Sequence, residues 1–237
     1  MPPNKSVVFA RGISADGSCL SRLVPPLRAK GYDVLASQRS LDNHQDDVDC
    51  VVRCIGRATR PVVLAGHSRG GALITATDTD DRVCGLVHIA ALGLVGAEPC
   101  KAKRTSSPKS TSLVSSEAEA RSGCSQRPSP TSRETPPRRG RQAVLATTNA
   151  ATAQLCNQKG PRVAWWNEPS WGVVATISRI DRPDLERFAA LRMGAADTEL
   201  AASHVAMLSQ PVAVPGVRHD PLDCCVSPAR RLHRVAS

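Results

Sequence analysis

Residues 66 to 71 read Gly-His-Ser-Arg-Gly-Gly and hold the pattern Gly-x-Ser-x-Gly around Ser68. A serine hydroxyl attacks a carbonyl only when a base takes its proton and fixed N–H donors meet the charge that develops on oxygen. Ser68 could be such a nucleophile, lifted out on a strained turn. It could also be a solvated serine between glycines. The flanking elements decide. Gly66 and Gly70 lack a Cβ, so a strand and a helix can close on each other across the turn. The amide after the serine, that of Arg69, would then lie at a helix N-terminus, where negative charge is favoured.

The neighbouring residues supply both elements. "PVVLAG" (61 to 66) is a short, β-branched apolar run and reads as a buried strand. "RGGALITATDTD" (69 to 80) starts apolar and helix-forming and ends polar. Alternation continues on both sides. "SVVFA" (6 to 10) and "YDVLAS" (32 to 37) read as strands, with a helix between them over 17 to 31 on Leu20, Leu23 and Leu27, capped by Gly31. Residues 44 to 60 predict a helix with Val48, Val51, Val52 and Ile55 on one stripe, and "RVCGLVHIAAL" (82 to 92) a buried strand. After residue 168 come a strand over 169 to 177 and a helix over 182 to 194 with Leu185, Phe188, Ala189 and Met193 inward and Gly194 as cap. Residues 196 to 211 read as a short strand, a loop carrying His204 and a turn of helix. Strands alternating with helices predict an α/β fold: a mostly parallel sheet flanked by helices, with ligands bound beyond the carboxyl ends of the strands. Ser68 falls at such an end.

Composition bounds the rest. A chain of 237 residues, 41% apolar, can build one sizeable α/β core, and with 3% aromatics that core rests on Val, Leu, Ile and Ala. The expected organisation is an N-terminal part of the core (1–97), a low-complexity basic segment (98–160), a C-terminal part of the core (161–216) and an irregular basic tail (217–237). Residues 105 to 141 hold ten Ser and five Pro and only Leu113 and Val114 as large aliphatics, too little apolar surface to offset ordering. Disorder is the expectation there. Most of the net charge of +10 sits in 98 to 163, with twelve Lys and Arg against four Glu. That stretch has no aromatics to stack on bases before Val163, so nucleic acid is a weak, salt-sensitive alternative rather than the expected partner. The nine cysteines form no Cys-x-x-Cys, and the segment "MPPNKSVVFA" lacks the apolar run of a signal peptide. Reduced thiols and a cytoplasmic protein follow as expectations. Cys50 and Cys54 share a helix face but lack further ligands nearby, so packing is favoured over a metal. No run approaches a membrane span.

The chain resembles the α/β-hydrolase superfamily, and within it a small bacterial branch similar to the plant methylesterase and hydroxynitrile lyase group. The resemblance rests on "VVFARGISADGS" (7–18), "RPVVLAGHSRGGALI" (60–74), "RVCGLVHIAAL" (82–92), "PSWGVVATISRIDRPDLERFAALRMGA" (169–195) and "TELAASHVAMLSQPVAV" (198–214). It implies Ser68 as nucleophile and His204 as general base, in the family's order Ser, acid, His. His67 lies inside the turn, His88 inside a strand, and His44, His219 and His233 in polar or aperiodic stretches. The implied reaction is attack on an ester or similar carbonyl of a small molecule, with the oxyanion held by the amides of Ile13 and Arg69 and with no metal or organic cofactor.

Three departures matter. The family's His-Gly after the first strand is Arg11-Gly12 here, which backbone donors tolerate. Its acid, as in a "TEDRAIPPDLQRF" type of segment, aligns with Ser178; Asp181 and Asp184 follow three and six residues on, and Asp181 is the expected substitute. A helical lid pattern is missing across 98–160, a texture that an out-of-frame translation or a disordered insertion would equally produce. The first rival reading is therefore a catalytically impaired pseudoenzyme or degraded gene product with the same fold.

Overall fold

A computed structural model describes residues 5–13, 17–59, 61–77, 80–93 and 163–214. The readings for 98–160 and 217–237, the basic-segment alternative included, fall outside the described residues.

Six strands form one sheet: β1 (Lys5–Ala10), β2 (Tyr32–Ala36), β3 (Val62–His67), β4 (Val83–Ile89), β5 (Ser170–Ala175) and β6 (Ala196–Leu200). Their order is β2-β1-β3-β4-β5-β6 and every pairing is parallel. Parallel strands need crossovers, and the helices supply them: α1 (Val24–Ala29), α2 (His44–Arg57), α3 (Arg69–Ala76) and α4 (Pro183–Met193), followed by the short α5 (Ala206–Ser209). Helices on both faces bury both faces of the sheet, which is why β1 and β3 are apolar runs rather than alternating ones. Val7, Phe9, Val63 and Ala65 pack with Leu20, Leu23, Leu27 and Met207 on one side. Val8, Ala10 and Leu64 pack with Val48, Val51, Ile55, Leu73 and Ile74 on the other. The expected α/β fold, a mostly parallel sheet flanked by helices, is what forms.

Local signals account for most element ends. The Asn43 side chain accepts from the Asp46 amide at 2.8 Å and caps α2, with Asp46 and Asp47 in the first turn complementing the dipole. Gly194 ends α4 at φ +59, the left-handed conformation foreseen for a capping glycine. Gly31 likewise has φ +83.

Three expectations need correction. The helix expected over 17 to 31 is a 3-10 turn (Gly17–Leu20) and then α1, because Pro25 and Pro26 can sit only in a first turn and so start a new helix. Val52 is exposed, since the buried stripe of α2 runs His44, Asp47, Val48, Val51 and Ile55. Phe188 is 54% exposed while Glu186 is buried in its stead, four residues before Ala190. Among the described residues Cys19, Cys50 and Cys54 are free thiols. Among the described residues no helix is long and apolar enough to cross a membrane.

Candidate active site

The turn between β3 and α3 carries Ser68 at φ +52 and ψ −122. An L-residue reaches that region only at a cost of order 1–3 kcal/mol, and the surrounding structure must impose it. Here it is imposed from both sides. The Ser68 N–H donates to the Ile89 carbonyl at 3.0 Å, and the Ser68 carbonyl accepts from the Gly71 N–H at 2.9 Å. The glycines make room. A Cβ on Gly66 would lie 2.5 Å from the Gly70 oxygen, and one on Gly70 would run into the Ala10 carbonyl of β1. The alternative of a relaxed, solvated serine turn does not fit this geometry.

The loop after β1 is pressed against the same turn. A Cβ on Gly12 would come within 2.8 Å of His67 Nδ1 and 3.2 Å of Ser68 Cβ. Gly12 therefore brings the backbone leading to Ile13 directly beside Ser68. Arg69 is the first residue of α3, at the positive end of the helix dipole. Both backbone segments proposed from the sequence as oxyanion donors thus flank Ser68.

His204 reaches the site from the far end of the sheet. The end of β5 and the chain after β6 are joined by bonds from the Thr176 N–H to the Leu200 carbonyl (2.9 Å) and from the Ile177 N–H to the Ala202 carbonyl (3.2 Å). Arg22 Nη1 donates to the Leu208 carbonyl at 2.8 Å and fastens α5 from the opposite side. His67 makes the link to the turn. Its Nε2 is 2.8 Å from the His204 carbonyl oxygen, and a carbonyl can only accept, so Nε2 carries the proton. The two imidazole rings lie 4.9 Å apart, centroid to centroid. Burial first, and then the neighbouring His204, hold His67 down to about pKa 3, so it stays neutral and acts as a strut.

The carboxylate position expected behind His204 is filled by a hydroxyl. Ser178 Oγ is 3.3 Å from His204 Nδ1 and also accepts the Asp181 N–H at 3.3 Å. Asp181 is buried, and its negative charge favours protonation of His67 and disfavours ionisation of Glu186, so its field is felt at His67 beside the turn. Asp184 instead pairs with Arg182 at 2.6 Å on the surface. Glu186, unremarked in the sequence, accepts the Ala175 N–H at 2.8 Å with Oε2, while its buried Oε1 has no partner. Burial, with Asp181 adding to it, raises its pKa to about 8 even though that bond opposes the shift. It holds the end of β5, from which the Ser178 loop departs.

A second buried polar group lies behind the oxyanion side. Asp47 Oδ2 accepts from Arg69 Nη1 at 2.7 Å and from Arg39 Nη1 at 3.4 Å. Burial chiefly, offset by Asp47 and reinforced by Arg69 and Arg11, draws Arg39 down to about 9, so it remains a cation at neutral pH. These residues escaped the sequence reading although a signal was present. Asp47 lies four residues before Val51 and Glu186 four before Ala190, so both sit on the buried stripe of their helices. Among the described residues no group of three or more His, Cys, Asp or Glu is arranged to hold a metal.

Comparison with known proteins agrees with this architecture. No curated protein matches the sequence. Among solved structures, a pyrethroid hydrolase from Sphingobium faniae JZ-2 is 18% identical with a TM-score of 0.67, over 95% of this chain and 98% of its own. Polyneuridine aldehyde esterase is 15% identical with a TM-score of 0.67, over 89% and 96%. An extracellular alpha/beta-hydrolase from a Paenibacillus species is 16% identical with a TM-score of 0.65, over 90% and 99%. These likenesses establish the fold. Residues 7–215 match the Alpha/beta hydrolase family, and with the strained serine turn on a parallel sheet in place, the chain belongs to that family.

Proposed function

We propose that the chain is a serine hydrolase that cleaves an ester or related carbonyl bond of a small molecule. Ser68 Oγ attacks the carbonyl carbon and His204 takes its proton. The amides of Ile13 and Arg69 hold the oxyanion. His204 then protonates the leaving alcohol, which departs and leaves an acyl-serine. Water, deprotonated by His204, releases the acid and restores Ser68. Asp181 supplies the negative field behind the imidazolium, through and beside the Ser178 hydroxyl. The observation that carries this reading is Ser68 at φ +52 with the His204 loop fastened to its neighbour His67. That two of the similar folds are a pyrethroid hydrolase and polyneuridine aldehyde esterase by name supports carboxylic esters as the first substrates to try.

A specific observation favours a second reading, that of an impaired enzyme. The group facing His204 Nδ1 is a neutral hydroxyl. Neutralising the acid of a Ser-His-Asp triad lowers kcat by about 10⁴. Intact-mass detection of fluorophosphonate labelling separates the readings. One adduct, absent from Ser68→Ala, is expected for an assembled site. An unlabelled, folded protein would overturn the serine-hydrolase reading and leave a pseudoenzyme. Given labelling, Asp181→Asn is expected to slow turnover by a factor of about 10² or more. An unchanged rate would remove Asp181 from the mechanism.

A further inference from the structure

The buried Arg39, in the loop after β2, and Asp47, on α2, lie away from Ser68 in sequence, yet their bonds reach the Gly12–Ile13 peptide, which carries one proposed oxyanion donor, and the side chain of Arg69, whose amide is the other. Arg39 Nη2 donates to the carbonyl oxygens of Arg11 and of Gly12, the latter at 3.3 Å. The Gly12 carbonyl and the Ile13 N–H belong to one planar trans peptide and point in opposite directions. Whatever fixes that oxygen fixes where the Ile13 N–H aims. A cation on the carbonyl also polarises the peptide and strengthens its N–H as a donor. Arg11 Nη2 donates back to the Arg39 carbonyl at 3.1 Å, so the two segments clasp each other.

Asp47 joins this clasp to the second donor. One carboxylate oxygen binds Arg39 and Arg69 together, and the other accepts the Leu41 N–H at 3.3 Å. Leu41 itself has φ +67, so the loop that delivers Arg39 is held in a conformation a leucine would not choose alone. The Asp47 side chain is fully buried and Arg39 nearly so. A buried aspartate between two guanidiniums is costly to desolvate and is weak evidence for stability as such.

We propose that Arg39, seated by Asp47, is the positioning residue of the oxyanion hole. It orients the Gly12–Ile13 peptide, and Asp47 keeps that peptide in register with Arg69 across the nucleophile. The inference rests on the serine-hydrolase reading. Arg39→Lys keeps the charge beside Asp47 but lacks the fork that reaches both carbonyls. Asp47→Asn keeps the shape and uncouples the two arginines.

Rates with a carboxylic ester are counted per site titrated by fluorophosphonate, so unfolded protein does not enter. Each variant is expected to lose on the order of 10²-fold in kcat with KM within about twofold, because misaimed donors cost the transition state and not substrate binding. The inhibition constant of an alkyl trifluoromethyl ketone, which forms an oxyanion on Ser68, should rise by the same factor as kcat/KM falls. A loss in KM alone, or wild-type kcat and ketone binding per titrated site, would overturn the proposal while leaving the hydrolase reading intact. A wild-type protein that is not labelled overturns both. Should Asp47→Asn fail to fold, Arg39→Lys decides in the same terms.

Discussion

Ser178 stands where a charge would serve His204 best. Its oxygen orients the ring by hydrogen bonding to Nδ1, but a hydroxyl dipole stabilises an imidazolium far less than a carboxylate does. Ser178→Asp is therefore expected to raise kcat/KM on the order of 10²-fold, with fluorophosphonate labelling accelerated in parallel. A rate unchanged or lower would mean that the field of Asp181 already suffices from its distance, and that a second carboxylate beside it only competes for the same proton. At this scale the sequence was readable where the chemistry depends on a short pattern. Gly66, Ser68 and Gly70 announce the turn, and the position of Ser178 behind His204 could be read by alignment. What was not legible is the support. His67 lies inside the turn and had the look of a bystander, yet its Nε2 fastens the His204 carbonyl. That bond joins residues 137 positions apart, and no local pattern encodes it.

The β3–α3 unit stores strain at Ser68, its proposed nucleophile. Glycine enters the φ > 0 region without a Cβ penalty, whereas alanine keeps it. Removing the hydroxyl in two ways should therefore separate chemistry from strain. Ser68→Gly is expected to melt about 2–4 °C above Ser68→Ala, corresponding to ~1 kcal/mol in a chain of this size. Equal melting temperatures would mean that the turn relaxes once the hydroxyl is gone. Gly70→Ala is expected to cost about 3 kcal/mol or more, because the added methyl would meet the backbone of β1 and not a movable side chain. A variant with wild-type melting temperature would contradict that packing. Elements were legible in proportion to their periodicity. β1 and β3 show as apolar runs, and α2 as a spaced stripe. Leucine spacing speaks for one helix over 17 to 31, but Pro25 and Pro26 break it into a 3-10 turn and α1. Hydrophobicity alone points Phe188 inward, but the stripe Glu186, Ala189, Ala190 and Met193 is the buried one.

The whole molecule buries titratable groups that pull its stability in opposite directions with pH. His88 is buried on β4 with both ring nitrogens unpartnered, and burial lowers its pKa to about 4. Burial, with Arg69 adding to it, does the same for His44, and His67 lies lower still. A histidine whose pKa is depressed on folding binds fewer protons in the folded state, so its contribution is complete above about pH 6.5 and is lost as pH falls toward 4. Each pKa unit corresponds to about 1.4 kcal/mol, so titrating His88 alone across that window costs about 3 kcal/mol. Glu186 acts the other way. Its pKa is raised from 4.5 to about 8, so the folded state holds its proton longer. Its contribution is complete below about 4.5 and is lost as pH rises through 8. Among the described residues, three groups acting on the acid side against one on the alkaline side place maximal stability near pH 6.5, with a steeper fall below than above. Glu186→Gln keeps an oxygen to accept the Ala175 N–H and cannot ionise. Melting temperature followed from pH 5 to 9 should therefore fall between pH 7 and about 8 in the wild type and stay flat there in Glu186→Gln, whose acid limb is the steeper because Glu186 no longer opposes the histidines above pH 4.5. An alkaline limb that survives the substitution would assign it to another group. A wild-type curve already flat to pH 9 would mean that Glu186 is charged in the fold and that its unpartnered Oε1 has found water.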